Sequence, residues 1–213
     1  MSQENIAHRL SGWLTLIWLI LVPLSVYCYQ HIDRPLALWL HTHQTQQWQL
    51  LGWPHKIVDI FIFCLPLTFV ISVRALWKLP EGNHKEQTTE KPWFVAVLEA
   101  SLALTVALIL KTPLKAFFGR TWPETFYHGN PSYIEHGVYG FLPLQWNVAY
   151  WSFPSGHTLE ITALATALLL HRPRLAWVLL PLCVIVMADL VAINYHWLSD
   201  ITAGALAGIT IAF

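Results

Sequence analysis

Twenty apolar residues in a row cannot be left in water, and wound as a helix they reach across the hydrocarbon core of a bilayer, about 30 Å. Blocks near that length recur along this chain, at about 11–29, 56–77, 93–112, 157–171, 174–193 and 198–213. The expectation is an all-α integral membrane protein, a single domain (1–213) with six transmembrane helices. Charged residues make up only 11% of the 213, against about 25% in an ordinary soluble domain. Net charge is zero with histidine neutral, so nothing points to nucleic acid.

The first block follows MSQENIAHR and is longer than the apolar core of a signal peptide. It runs into VYCYQHIDR rather than a small-residue cleavage site, so a retained helix is expected. The fourth block is short and needs its polar start buried in protein, while the sixth reaches Phe213 with no polar flank. Trp48, Trp53, Trp77, Trp93, Trp151 and Trp197 stand at block edges, as in the aromatic belts of membrane interfaces. Cys28, Cys64 and Cys183 fall inside apolar blocks without paired spacing. They read as core packing rather than a disulfide or zinc framework.

Orientation follows from Lys and Arg near the spans. With the N-terminus cytoplasmic, that side collects Arg9, Arg74, Lys78, Lys85, Lys91, Arg172 and Arg174, and the other holds Arg34, Lys56, Lys111, Lys115 and Arg120. Seven against five favours both termini inside, more so if Lys115 and Arg120 are held by function. The charged, turn-rich stretch 78–92 is then a cytoplasmic loop. The stretch 121–153 is long, aromatic and aperiodic, which marks a functional loop rather than disorder.

Ionisable groups near membrane helices are costly and default to functional hypotheses. Three clusters stand out: Lys111 to Glu124, the WSFPSGHTLE opening of the fourth block, and Asn194 to Asp200. With six spans all three emerge on one face. Lys115 and Arg120 supply positive charge. Ser155 and Gly156 offer backbone N–H groups at a helix start, where orphan donors and the helix dipole favour an anion. His196 and Asp200, four apart, share a helix face, so the carboxylate can orient the ring. Together with His157 they suit phosphoryl transfer through a phosphohistidine: the oriented neutral histidine attacks, and the second, protonated, serves the leaving alkoxide. No third ligand is placed by spacing for a metal, and no cofactor is expected.

These residues resemble the integral membrane branch of the type 2 phosphatidic acid phosphatase superfamily, whose motifs run Lys-x6-Arg-Pro, Pro-Ser-Gly-His and Ser-Arg-x5-His-x3-Asp. Pro154-Ser155-Gly156-His157 matches the second fully, and His196-Trp197-Leu198-Ser199-Asp200 matches the reactive half of the third. The resemblance covers about the last half of the chain. It implies six helices with the site at the non-cytoplasmic face, His196 as nucleophile, His157 as proton donor and Asp200 as orienting acid. Lys115, Ser155 and Gly156 would hold phosphate. The expected activity is metal-independent hydrolysis of a lipid phosphomonoester or pyrophosphate, in a bacterial inner membrane with the site facing the periplasm and the loop 121–153 over it.

Two positions depart. Trp122 stands where the first motif has arginine, and Asp189-Leu190 where the third has Ser-Arg. Neither Trp nor Leu imitates a guanidinium fork. Arg120 is expected to reach the phosphate from two residues away, and Lys111 and Asp189 to neutralise each other. Glu160 either orients His157 or is a hydrogen-bonded residue facing the bundle. Asp59, Glu99 and Ser101 are read as polar residues between helices, His41, His43 and His55 as solvated or headgroup-facing. Glu124, His128 and His136 lie where substrate could touch them. Other readings are a phosphotransferase using the same intermediate, a degenerate lipid-phosphate binder, and a histidine-rich metal or proton transporter.

Overall fold

A computed structural model describes residues 3–48, 50–77, 92–126 and 129–213. All of 78–91, hence nearly all of the expected 78–92 loop, lies outside the described residues, as does His128. The helices are α1 (Gln3–Tyr27), α2 (Asp33–Thr42), α3 (Pro54–Trp77), α4 (Pro92–Phe118), the single turn α5 (Tyr133–His136), α6 (Gly156–His171), α7 (Ala176–Ala192) and α8 (Leu198–Ala212). No strand forms among the described residues; isolated bridges join Arg120 to Phe141 and Trp151, and Trp122 to Ser132.

Among the described residues, three apolar segments are long enough to cross a membrane: Ser11–Thr42, Trp93–Phe118 and Pro173–Ala192, with the shorter Leu198–Ala212 besides. The first runs past the expected boundary near residue 29. A π turn (Cys28–Ile32) carries α1 directly into α2, and such turns mark functional positions in helices. The polar run that looked like an exit stays helical because its charge at Asp33 is neutralised inside the protein, by Arg120. Trp13, Leu16, Trp18, Leu19 and Ile20 are exposed along α1, so this helix shows an apolar surface of the kind a bilayer covers.

The centre of the bundle is α6. It packs on α8 and α4 with α7 behind it, while α1 rests on α8 and α3 on α4. A helix apolar on all sides belongs in a core, and Leu159, Ile161, Ala163, Leu164 and Ala165 are buried. Its start follows Pro154-Ser155, and it ends at Arg172, which precedes a proline and so leaves the helical region. The contact with α8 is close because Gly204 and Gly208 face it. A Cβ on Gly204 would lie 2.7 Å from Ser155 O, and one on Gly208 would lie 2.9 Å from Ala163 N. Small residues four apart let helix backbones approach in this way. Here the approach holds the start of α8 against the start of α6. Of the free cysteines, Cys28 and Cys183 are buried as expected, whereas Cys64 lies on the exposed side of α3.

Candidate active site

The chain leaves α7 through Ile193 and Asn194, the latter left-handed at φ 57°. Tyr195 N and His196 N both donate to Leu190 O, at 3.0 and 3.1 Å, which fixes His196 just ahead of α8. Asp200 sits in the first turn of α8 and accepts from Trp197 N at 3.2 Å, at the helix end where a negative charge is favoured. The same oxygen, Oδ2, takes Ser152 Oγ and His196 Nδ1 at 3.3 Å. With Nδ1–H given to the carboxylate, the imidazole keeps its lone pair on Nε2. His196 is 2% exposed. Burial holds its pKa down at about 4, although the Asp200 bond pulls upward, so the ring is neutral at pH 7.

Ser155 N donates to Asp200 O at 3.1 Å, tying the two motif segments together through the backbone. The Ser155 side chain is fully buried and accepts from Thr158 Oγ1 at 3.0 Å. Gly156 and His157 open α6, so their N–H groups have no carbonyl behind them within the helix. His157 Nε2 stands 3.3 Å from Asp59 Oδ1, and its ring meets His55 edge-on at 5.5 Å.

A cavity of about 200 Å³ joins these groups. Lys111, Lys115, Gly156, His157, His196 and Trp122 line it, with Thr112, Val148, Trp151 and Tyr195 completing the wall. Lys115 Nζ donates to Trp151 O at 2.6 Å. Lys111 Nζ bonds Glu160 Oε1 at 2.5 Å. Trp122, at the position of the missing arginine, is an aromatic wall: its ring lies 5.3 Å from that of His196, and Lys115 Nζ lies 5.5 Å from its centroid. Leu190, at the other arginine position, is buried in the apolar core.

Several expected placements differ. Arg120 does not line the cavity. It is fully buried, with Nη1 on Asp200 Oδ1 and on Ser199 Oγ at 2.6 Å. Its Nη2 lies 2.7 Å from Asp33 Oδ2 and 3.2 Å from Tyr139 Oη. Tyr29, Phe141 and Trp197 present their rings to it at 5.0 to 5.2 Å. Flanked by two carboxylates, the guanidinium is neutralised where it stands and has no reason to turn toward the cavity. Ser155 likewise faces α8 rather than the cavity. Lys111 does not pair with Asp189: the lysine holds Glu160, while Asp189 accepts from Gly52 N at 2.7 Å and from His55, ring and backbone, at 2.7 and 3.2 Å. Glu160 therefore serves Lys111 and not His157. His55, expected to be solvated or headgroup-facing, and Asp59, expected to be a polar residue between helices, both stand beside His157. Glu99 pairs with His171 at 2.5 Å. Glu124 and His136 brace the loop, the first on His41 and Asn194, both at 2.9 Å, the second on Ser132 N at 3.3 Å.

The sequence reading missed Asp33, which bonds Ser199 through backbone N (3.0 Å) and hydroxyl. One signal was available: an acid just after an apolar block falls under the same rule that singles out Lys115.

Fold and cavity together define an all-helical membrane protein in which two histidines and two lysines converge on one pocket. A sequence model of the PAP2 superfamily matches residues 96–213, and the chain belongs to that superfamily. It is 26% identical over 149 residues to the lipid A 1-phosphatase of Rhizobium etli, covering 70% of this chain and 60% of that protein. It is 29% identical over 136 residues to the lipid A 1-phosphatase of Rhizobium johnstonii (63% and 52%). It is 30% identical over 113 residues to the undecaprenyl-diphosphatase of Sulfolobus acidocaldarius (53% and 50%). The chain thus spans 50 to 60% of the length of these curated relatives. No solved structure matches it significantly.

Proposed function

We propose that this protein is a membrane lipid phosphatase that cleaves a lipid phosphomonoester or pyrophosphate through a phosphohistidine on His196. The observation that carries the reading is the convergence of His196, backed by Asp200, with His157, Lys115 and Gly156 on one cavity. Neutral His196 Nε2 attacks phosphorus, a P–N bond forms and the bond to the leaving oxygen breaks. His157, carrying a proton that the bound phosphate's negative charge draws onto it, gives that oxygen its proton. Lys115 and the amides at the start of α6 hold the equatorial oxygens as charge redistributes. Water then attacks the phosphohistidine, losing its proton to His157, and inorganic phosphate leaves. In this account Arg120 positions Asp200 and Ser155 locks the two motifs, and neither touches the phosphate.

The relatives' names support a lipid-borne phosphate or diphosphate as substrate, and the apolar outer surface supports delivery from the bilayer. Six spans, cytoplasmic termini and a site facing the periplasm of an inner membrane complete the reading, with 121–153 covering the pocket. The test is phosphate release by purified protein in detergent from a panel of lipid A, a polyprenyl diphosphate, phosphatidic acid and phosphatidylglycerol phosphate. Release from at least one, abolished by His196→Ala, is expected. No release from any would leave a lipid-phosphate binder without turnover.

A further inference from the structure

Resting on that phosphate-pocket reading, we propose that Lys111 is the second cation that holds the phosphate, taking the place of the absent arginines, with buried Glu160 as its counter-ion. Apart from the histidines, Lys111 and Lys115 are the basic residues in the described lining of the cavity. They stand one helical turn apart on α4, so their side chains leave the same face. That face is pressed on the start of α6, and Gly156 is the point of passage. A Cβ there would lie 2.7 Å from Lys111 Cδ and 3.4 Å from Lys115 Cε. Glycine thus lets both lysine stems cross the helix start whose N–H groups face the anion.

The Lys111–Glu160 pair is lopsided. The glutamate side chain is 1% exposed and the lysine side chain 31%, so the acid is sealed in protein while the lysine is part of the cavity wall. Glu160 Oε2 has no partner among the described residues, which makes Lys111 the group that neutralises it. An ammonium carries three donors. One is spent on Glu160, and the remaining two are available to phosphate oxygens. Arg120 is committed elsewhere, to Asp33 and Asp200, and position 190, where the motif has its other arginine, holds an apolar leucine in the core. A point charge paired with a buried carboxylate does here what a bidentate fork does in an arginine-bearing form of the motif.

The experiment is calorimetric titration of inorganic phosphate into detergent-purified wild type, Glu160→Gln and the double variant Lys111→Met/Glu160→Gln, which leaves no buried charge unpaired. Wild type binds. The double variant is expected to bind about 10- to 100-fold more weakly, the range for one lost charge-assisted hydrogen bond. Glu160→Gln, which keeps the ammonium and removes a negative charge beside the anion, is expected to bind at least as tightly as wild type. A folded double variant within about twofold of wild type overturns the inference and leaves the phosphatase reading intact. So does a tenfold loss in Glu160→Gln alone, since the effect would then follow the carboxylate. A wild type that binds no phosphate overturns both.

Discussion

Arg120 has two carboxylates within hydrogen-bonding reach and no exposed surface, so truncating it strands two buried anions. The cost of breaking such a network is about 3–5 kcal/mol. Arg120→Met is therefore expected to lower the unfolding temperature in detergent sharply, and a variant as stable as wild type would mean that Asp33 and Asp200 do not depend on it. For His196 the sign runs the other way from an ordinary salt bridge. Folded, it is held at about 4 against an ordinary 6.5. Between those values the unfolded chain takes up a proton that the folded chain refuses. Its contribution to stability is whole above pH 6.5, shrinks as pH falls and is lost near pH 4. The stability gap between about pH 7 and about pH 4.5 should thus be smaller in His196→Asn than in wild type, and equal gaps would contradict the depressed pKa. His157, His196 and Asp200 were legible in the sequence because each lies within a short contiguous motif. Asp33 and Arg120 were not, since their pairing joins residues 87 apart. Hydropathy registers a lone charge there as a helix flank.

At the level of elements, the site depends on how closely α8 lies on α6. A methyl on Gly208 would crowd Leu159 O and Thr162 Oγ1, and overpacking of this kind costs about 1–3 kcal/mol. Gly208→Leu should both destabilise the bundle and lower turnover, because separating the helices pulls Asp200 O from Ser155 N. Thermal unfolding and phosphate release measured on the same preparation check this; loss of stability with full turnover would show that the two starts need not touch. The apolar blocks matched the observed bounds of α3, α6 and α7 and the start of α8 to within about two residues. The merger of α1 with α2 escaped because the polar run at Gln30 to Arg34 reads as an exit. Only tertiary pairing at Asp33 keeps it helical.

For the whole molecule, the placement of three polar clusters on one face follows from the number of spans, and it can be tested without any substrate. In a cysteine-free background, Glu135→Cys and Lys85→Cys should react with a membrane-impermeant thiol reagent from opposite sides of the membrane, Glu135 from outside intact cells. Labelling of both from one side would overturn the six-span arrangement. The apolar blocks made the membrane class legible, and two short motifs marked the two histidines that meet at the cavity. Which cations line the cavity was not legible: Arg120 is held away from it by two acids, while Lys111 and Lys115 line it. The central claim is that phosphate passes through His196, and the most direct measurement is to quench the enzyme during turnover of a radiolabelled lipid phosphate and map the bound label by mass spectrometry. The account predicts an acid-labile phosphoryl group on His196, absent in His196→Ala. Turnover with the protein unlabelled, or with the label on another residue, would contradict it.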